Sequence, residues 1–276
     1  MNPPVALTIA GTDSGGAAGT AADLATFAAL GAHGACVITA VTAQDTTGVS
    51  DIHPVPHSSI EAQLEAVFDD LPIAAIKTGM LGTAAAVEAV ARRVVKLSVA
   101  YGSLSASQPP LVVDPVLVAT SGAVLGGEGV RRAYLDHLLP VATVITPNLD
   151  EARALLGHDG SPEEIAVALA GARGSTSGCA VIVTGGDPAA TGECTDWLAE
   201  PGKPAIPLTH PAIPTSNDHG TGCTYSSALA AHLAHGATVH VAAEQAAAYV
   251  TRQLHTSRTW TLGRGRGPIA HTQEKK

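Results

Sequence analysis

Apolar runs and helical patterns alternate along this chain from end to end, and that alternation limits its fold more than any other feature. Positions 5–10 form an apolar run that enters Gly11-Thr12-Asp13, and 18–30 carry helical periodicity. The order continues with an apolar strand at 36–43, a helix at 60–68, a short strand at 74–77 and a helix at 83–97. A strand at 111–113 delivers Asp114, a helix covers 128–139, and a strand at 143–146 ends on Pro147-Asn148. Ser161-Pro162-Glu163-Glu164 combines an N-cap, a first-turn proline and a capping-box glutamate, so a helix starts there. A strand at 180–184, an antiparallel pair at 193–199 and 205–208, and helices at 224–235 and 238–255 complete the series.

Strand then helix, repeated, predicts an α/β fold: a mostly parallel central sheet with helices on both faces. Ligands of such sheets bind beyond the carboxyl ends of the strands. The loops at those ends carry Gly, Asp, Asn and Thr in this chain. No linker or internal repeat divides it, so one domain is expected over 1–271, with a polar tail at 272–276. Positions 103–110 read as a polar surface loop.

Of the 276 residues, 46% are hydrophobic but only 3% aromatic, so aliphatic packing must build the core. The net charge of -9 argues against a nucleic-acid partner, which calls for clustered Lys and Arg. The basic cluster Gly263-Arg264-Gly265-Arg266-Gly267 reads as a solvated turn. Cys36, Cys179, Cys194 and Cys223 form no CxxC pair and no metal-like spacing. Cys36 and Cys179 lie in strand-like apolar runs and read as buried structural thiols. No run approaches a membrane span. A cytoplasmic setting, without a membrane partner, is expected.

The segment most informative about chemistry is Asn217-Asp218-His219-Gly220-Thr221-Gly222-Cys223-Thr224. Its glycines bring backbone N–H groups close to a ligand, and the helix behind them directs its positive end to the same place. That is an anion cradle. Cys223 sits within it, and a thiol at a helix start is expected to have a lowered pKa. A phosphate cradle with a ready base suggests phosphoryl transfer to a hydroxyl. Gly11 to Gly19 is a second glycine-rich loop; it is neither GxGxxG nor a P-loop, and a tight strand-to-helix turn explains it as well as a binding site does.

Other positions leave two readings open. Asp23, on an alanine-rich helix, is either solvated or aimed into a pocket. Gln44 offers a donor and an acceptor that would suit an aminopyrimidine edge, or it caps a loop. Asn148 is explained in full as an N-cap, or it joins Glu151 in holding a hydrated magnesium ion.

Taken together, these segments resemble the hydroxymethylpyrimidine/phosphomethylpyrimidine kinases of thiamine biosynthesis, in the ribokinase-like superfamily. The resemblance rests on Gly11-Thr12-Asp13-Ser14-Gly15-Gly16 with Asp23, Ala43-Gln44, Lys77-Thr78-Gly79-Met80, Val113-Asp114-Pro115-Val116, Thr146-Pro147-Asn148 with Glu151, and His219-Gly220-Thr221-Gly222-Cys223-Thr224. The segment Gly267-Pro268 with His271 extends it to the C-terminal region.

The resemblance implies an α/β/α sandwich and ATP-dependent phosphorylation, with magnesium, of 4-amino-5-hydroxymethyl-2-methylpyrimidine and then of its monophosphate. It also implies a homodimer. By the same resemblance Gly11, Asp23, Gln44, Met80 and Val116 bind the pyrimidine, and Gly220, Thr221 and Gly222 form the anion hole beside the base Cys223. Asp114, Asn148, Thr184 and Gly186 lie at the nucleotide, and Asp114 and Glu151 at the metal. Thr184-Gly185-Gly186-Asp187 stands where the family reads Lys-Gly-Gly-His, and Thr120 and Ala123 also depart from its pattern. The missing Lys predicts weaker ATP binding or a shifted substrate preference, without loss of the fold. The alternatives are a kinase for another B-vitamin alcohol, pyridoxal or hydroxyethylthiazole, and a pyrimidine-binding homologue with weakened catalysis.

Overall fold

The computed structural model describes residues 2–101, 108–117, 127–171, 178–185 and 192–272. Gly186, Thr120, Ala123, Asp187, most of the 103–110 loop and the end of the C-terminal tail lie outside the described residues. Ten strands are described: β1 Val5–Ala10, β2 His33–Ile38, β3 Ala40–Asp45, β4 Gly48–Pro54, β5 Ile73–Thr78, β6 Leu111–Val113, β7 Val144–Ile145, β8 Ala180–Val183, β9 Glu193–Ala199 and β10 Ile206–Pro211. The helices are α1 Gly19–Ala29, α2 His57–Asp70, α3 Ala84–Tyr101, α4 Glu128–Ala133, α5 Leu149–Leu156, α6 Pro162–Ala170, α7 Thr221–Ala234 and α8 Val239–Ser257.

Eight strands form one sheet in the order β10-β9-β8-β7-β6-β5-β1-β2. From β8 to β2 neighbouring strands are parallel, while β9 and β10 pair antiparallel at one edge. Successive side chains of a strand face opposite ways, and the cores follow that period. Leu7, Ile9, Leu111, Val113, Ile145, Val181 and Val183 pack with α2, α3, α5 and α6. Ala6, Val112, Val144, Ala180 and Ile182 pack on the other face with Phe27 of α1 and with α7 and α8. Burying each of the larger aliphatic side chains is worth about 1.5–3 kcal/mol. Small side chains on the second face let α7 lie close: Ala228, Ala230 and Ala231 have no exposed surface.

Three expected elements differ. The strand expected at 36–43 is two strands, β2 ending at Ile38 and β3 starting at Ala40; Thr39 between them donates its N–H to Ala10 O at 3.0 Å and accepts from Val55 N–H at 2.9 Å. The second of these, β3, pairs antiparallel with β4 in a separate hairpin. The helix expected at 128–139 is α-helical only to Ala133; a π-helical turn follows over Tyr134–Leu138 and a 3₁₀ turn over Leu139–Val141. Pro140 has no N–H to continue a regular helix. Finally, α7 starts at Thr221, three residues before the expected position, so Cys223 lies within its first turn.

Among the described residues no helix is long and apolar enough to cross a membrane. Cys36 is half-buried and not fully buried as expected, whereas Cys179 is buried.

Candidate active site

The carboxyl ends of β1, β5, β6, β7 and β8 open on a cavity of about 390 Å³, a size that suits a small-molecule site. Gly11 follows β1, Met80 follows β5, Asp114 and Val116 follow β6, Asn148 follows β7 and Thr184 follows β8; all six line it. Gln44 of β3, Glu151 of α5, and Gly220, Thr221, Gly222 and Cys223 at the start of α7 line it as well. A Cβ at Gly11 would meet the Met80 methyl, so a larger residue there would push the flexible Met80 side chain from its place at the cavity wall.

Gly220 is the N-cap of α7, with φ 91°, a left-handed conformation that favours glycine. Any side chain there would also strike the Ala17 carbonyl. No side chain caps this helix. Thr221 N–H donates to Asp218 O at 3.2 Å, and the following first-turn N–H groups have no helical acceptor. The cradle read from the sequence is therefore a helix start with donors available to an anion.

The thiol within it differs from expectation. Burial pushes the Cys223 pKa up to about 12, against the opposing effect of Lys77, while Asp114 and Asp23 push it further up. A hydrogen bond from the Gly19 backbone lowers it, but by less. Cys223 keeps partial access to the cavity, yet its surroundings favour the proton. The lowered pKa argued from helix position alone does not hold, because desolvation outweighs the dipole.

Asp23 is also corrected. It has no exposed surface and does not line the cavity. Lys77 Nζ donates to both of its carboxylate oxygens at 2.9 Å, and Thr8 Oγ1 and Ser227 Oγ each donate to it at 2.6 Å. Burial alone would lower the Lys77 pKa, but Asp23 and the neighbouring anionic groups outweigh it and hold the ammonium charged. The Asp23 acceptors are thus spent inside the protein and not on a pyrimidine.

Asn148 and Glu151 form a reciprocal capping box: Glu151 N–H donates to Asn148 Oδ1 at 2.9 Å, and Asn148 N–H donates to Glu151 Oε2 at 3.0 Å. Glu151 is nevertheless buried at the cavity, and burial together with the nearby Asp114 raises its pKa to about 8. Asp114 is raised by burial, against Lys77 and a 3.0 Å hydrogen bond from Ser226 Oγ. These two carboxylates offer hard oxygen donors whose charge is poorly compensated. Among the described residues no group of three or more His, Cys, Asp or Glu is arranged to hold a metal. Magnesium needs less, since it commonly binds one or two carboxylates plus phosphates and water. The donor set therefore fits a phosphate-bound magnesium ion.

Beside Thr184, which the resemblance places at the nucleotide, Gly185, Cys194, Asp196, His210 and Tyr225 line the cavity without having been singled out for a role in the sequence. Thr184 Oγ1 makes only a 3.4 Å contact to Pro147 O, while the adjacent Gly185 N–H donates to Asp196 Oδ1 at 3.1 Å. Asp196 Oδ2 lies 3.3 Å from His210 Nε2, and this contact raises the His210 pKa although burial opposes it. Cys194 and Tyr225 line the same end, and the Tyr225 hydroxyl is buried without a partner. At the opposite end His219 contacts both Asp13 and Gln44. Arg264 and Arg266 are exposed, as the solvated-turn reading expects, and they also pair with Asp45 and Asp218, tying the β3–β4 hairpin and the α7 loop to the C-terminal segment.

Residues 13–270 match the family model described as phosphomethylpyrimidine kinase. The hydroxymethylpyrimidine/phosphomethylpyrimidine kinase of Synechococcus elongatus is 42% identical over 273 residues, covering 98% of each chain. Among solved structures, an ADP complex of Bacillus subtilis pyridoxal kinase aligns with TM-score 0.83 and 32% identity, covering 98% of each chain. A phosphomethylpyrimidine kinase from Clostridium difficile aligns with TM-score 0.70 and 33% identity over 90% of this chain and 98% of that one.

Proposed function

The chain belongs to the phosphomethylpyrimidine kinase family, and on that premise we propose that it transfers the γ-phosphoryl group of ATP to the hydroxymethyl group of 4-amino-5-hydroxymethyl-2-methylpyrimidine, and then to the resulting monophosphate. The observation that carries this reading is the uncapped start of α7 lining the same cavity as Gln44, Met80 and Val116.

Gln44 holds the heterocycle, with Gly11, Met80 and Val116 shaping the pocket around it. The N–H groups of the α7 start stabilise charge developing on the transferring phosphoryl group. Asn148 and Thr184 lie along the nucleotide. Magnesium, when bound with the phosphates, would neutralise their charge; Asp114 and Glu151 would hold it. Cys223 takes the hydroxyl proton as a thiolate, after giving its own proton to solvent. Phosphoryl transfer depends more on alignment than on a strong base, so a small thiolate fraction is enough for the step. Family membership further supports a homodimer and a cytoplasmic enzyme; sedimentation of the purified protein tests the former.

The test is a phosphorylation assay with ATP and magnesium on the pyrimidine, its monophosphate, pyridoxal and hydroxyethylthiazole. The pyrimidine and its monophosphate should react best. Pyridoxal belongs in the panel because a pyridoxal kinase aligns along almost the whole chain. Since the thiol pKa is raised to about 12, the thiolate fraction and kcat should rise with pH from 7 to 9. Cys223→Ala should lose roughly 10²–10⁴-fold in kcat and flatten that rise. Binding of the pyrimidine without ester formation would sink the kinase reading.

A further inference from the structure

Gln44 has its backbone fixed: its N–H donates to Ser14 Oγ and its carbonyl accepts from the same hydroxyl, both at 2.8 Å. Its amide Nε2 stands 3.1 Å from His219 Nε2. That same imidazole nitrogen stands 3.3 Å from Asp13 Oδ2. Asp13 is nearly buried and accepts backbone N–H bonds from Gly15 at 2.8 Å, Ala17 at 3.1 Å and Ala18 at 2.8 Å. Burial works against its charge, but His219, Gly15 and Ala18 outweigh it, so its carboxyl lies below the usual range.

An ionised carboxylate can only accept. The nitrogen facing it must therefore carry a proton, since two lone pairs would otherwise oppose each other in a buried site. A protonated Nε2 cannot also accept from the NH₂ of Gln44. A half-turn of the carboxamide removes the conflict, because its two ends are nearly equal in size and differ only in hydrogen-bonding sense. The carbonyl then accepts from His219, and the NH₂ group turns to the cavity.

We infer that Asp13 and His219 act as positioning residues that hold Gln44 with its NH₂ toward the substrate, so that the site selects a heterocycle presenting an unprotonated ring nitrogen. The inference rests on the reading that Gln44 faces the pyrimidine. In the 4-amino substrate the ring nitrogen beside the amine is an acceptor and meets the Gln44 donor. In the 4-oxo analogue that nitrogen carries a proton, and two donors collide.

The experiment compares kcat/KM for the 4-amino and 4-oxo alcohols in wild type, His219→Gln and His219→Leu. Wild type should prefer the amino compound by roughly 10²-fold or more, as expected of a site whose polar group is left opposed by the wrong substrate. His219→Gln should keep the preference, because its NH₂ can donate to both Asp13 and Gln44. His219→Leu frees the amide, and the preference should fall by on the order of 10-fold, through KM for the alcohol and with KM for ATP unchanged. An undiminished preference in a folded His219→Leu protein overturns the inference. Nitrogen-15 NMR of the wild-type His219 ring gives a readout that needs no variant: Nε2 should carry a proton, and an unprotonated Nε2 overturns the inference. If wild type phosphorylates neither alcohol, the kinase reading fails, and the NMR result still decides the relay.

Discussion

Asp23 and Lys77 have no exposed surface; each is the other's ion-pair partner, and Thr8 and Ser227 complete the hydrogen bonds of Asp23. Removing one partner of such a buried pair leaves an uncompensated charge and costs about 3–5 kcal/mol. Asp23→Ala should therefore lower the unfolding free energy by that amount in denaturant titration, and Asp23→Ala with Lys77→Met should recover most of it. A substrate-binding role would instead show as a raised KM at unchanged stability. Thr184 calls for a different measurement, because its hydroxyl makes only a long contact and leaves the phosphates without a side-chain cation there. Thr184→Lys should lower KM for ATP roughly tenfold, about 1.4 kcal/mol; an unchanged KM would show that the family's Lys is dispensable here. The sequence carried a trace of the ion pair. A lone Lys in the apolar strand Ala74-Ala75-Ile76-Lys77 requires a carboxylate if the strand is central, and Asp23 on its alanine-rich helix needs a cation. What could not be read was that they meet, since the pairing depends on β5 lying beside β1 in the sheet.

At the scale of elements, the sites where one stretch of chain touches another most closely are the least tolerant. Gly220→Ala would place a side chain in a left-handed conformation, a cost of about 1–3 kcal/mol, and drive it into the Ala17 carbonyl. Both effects displace the start of α7. The variant should lose activity by far more than its stability loss suggests, measured as kcat/KM beside a thermal melt. An active Gly220→Ala protein would mean that the α7 start is not the anion site. Elements whose signals are local were readable: the capping boxes at Asn148 and Ser161 set the starts of α5 and α6 where their sequence places them. The start of α7 was not, because its cap is a glycine without any side-chain bond. The break between β2 and β3 was missed for a similar reason. It is fixed by Thr39 bonding Ala10 and Val55 across the fold.

Across the whole molecule, the parallel sheet and the cavity at its carboxyl edge were legible from the order of elements, since that order leaves few topologies. The antiparallel β9–β10 edge followed from the same reading. The cavity and the buried ion pair beside it are assembled from distant parts of the chain: Ser227 reaches Asp23 across 204 positions, and His219 meets Gln44 at the cavity across 175. A chain ending before Asn217 would lack α7 and α8 and expose the second core face, including Phe27 and Ile182. It should be cleaved rapidly by protease under conditions where the full chain resists, and should show no cooperative melt. A protease-resistant fragment would mean that the first face and the sheet stand alone.

The bond from Ser227 to Asp23 also sets a clock on synthesis. Asp23 leaves the ribosome 204 positions before its partner Ser227. Throughout that interval one face of the sheet has neither α7 nor α8 to cover it, so the growing chain is exposed to aggregation until both have been made.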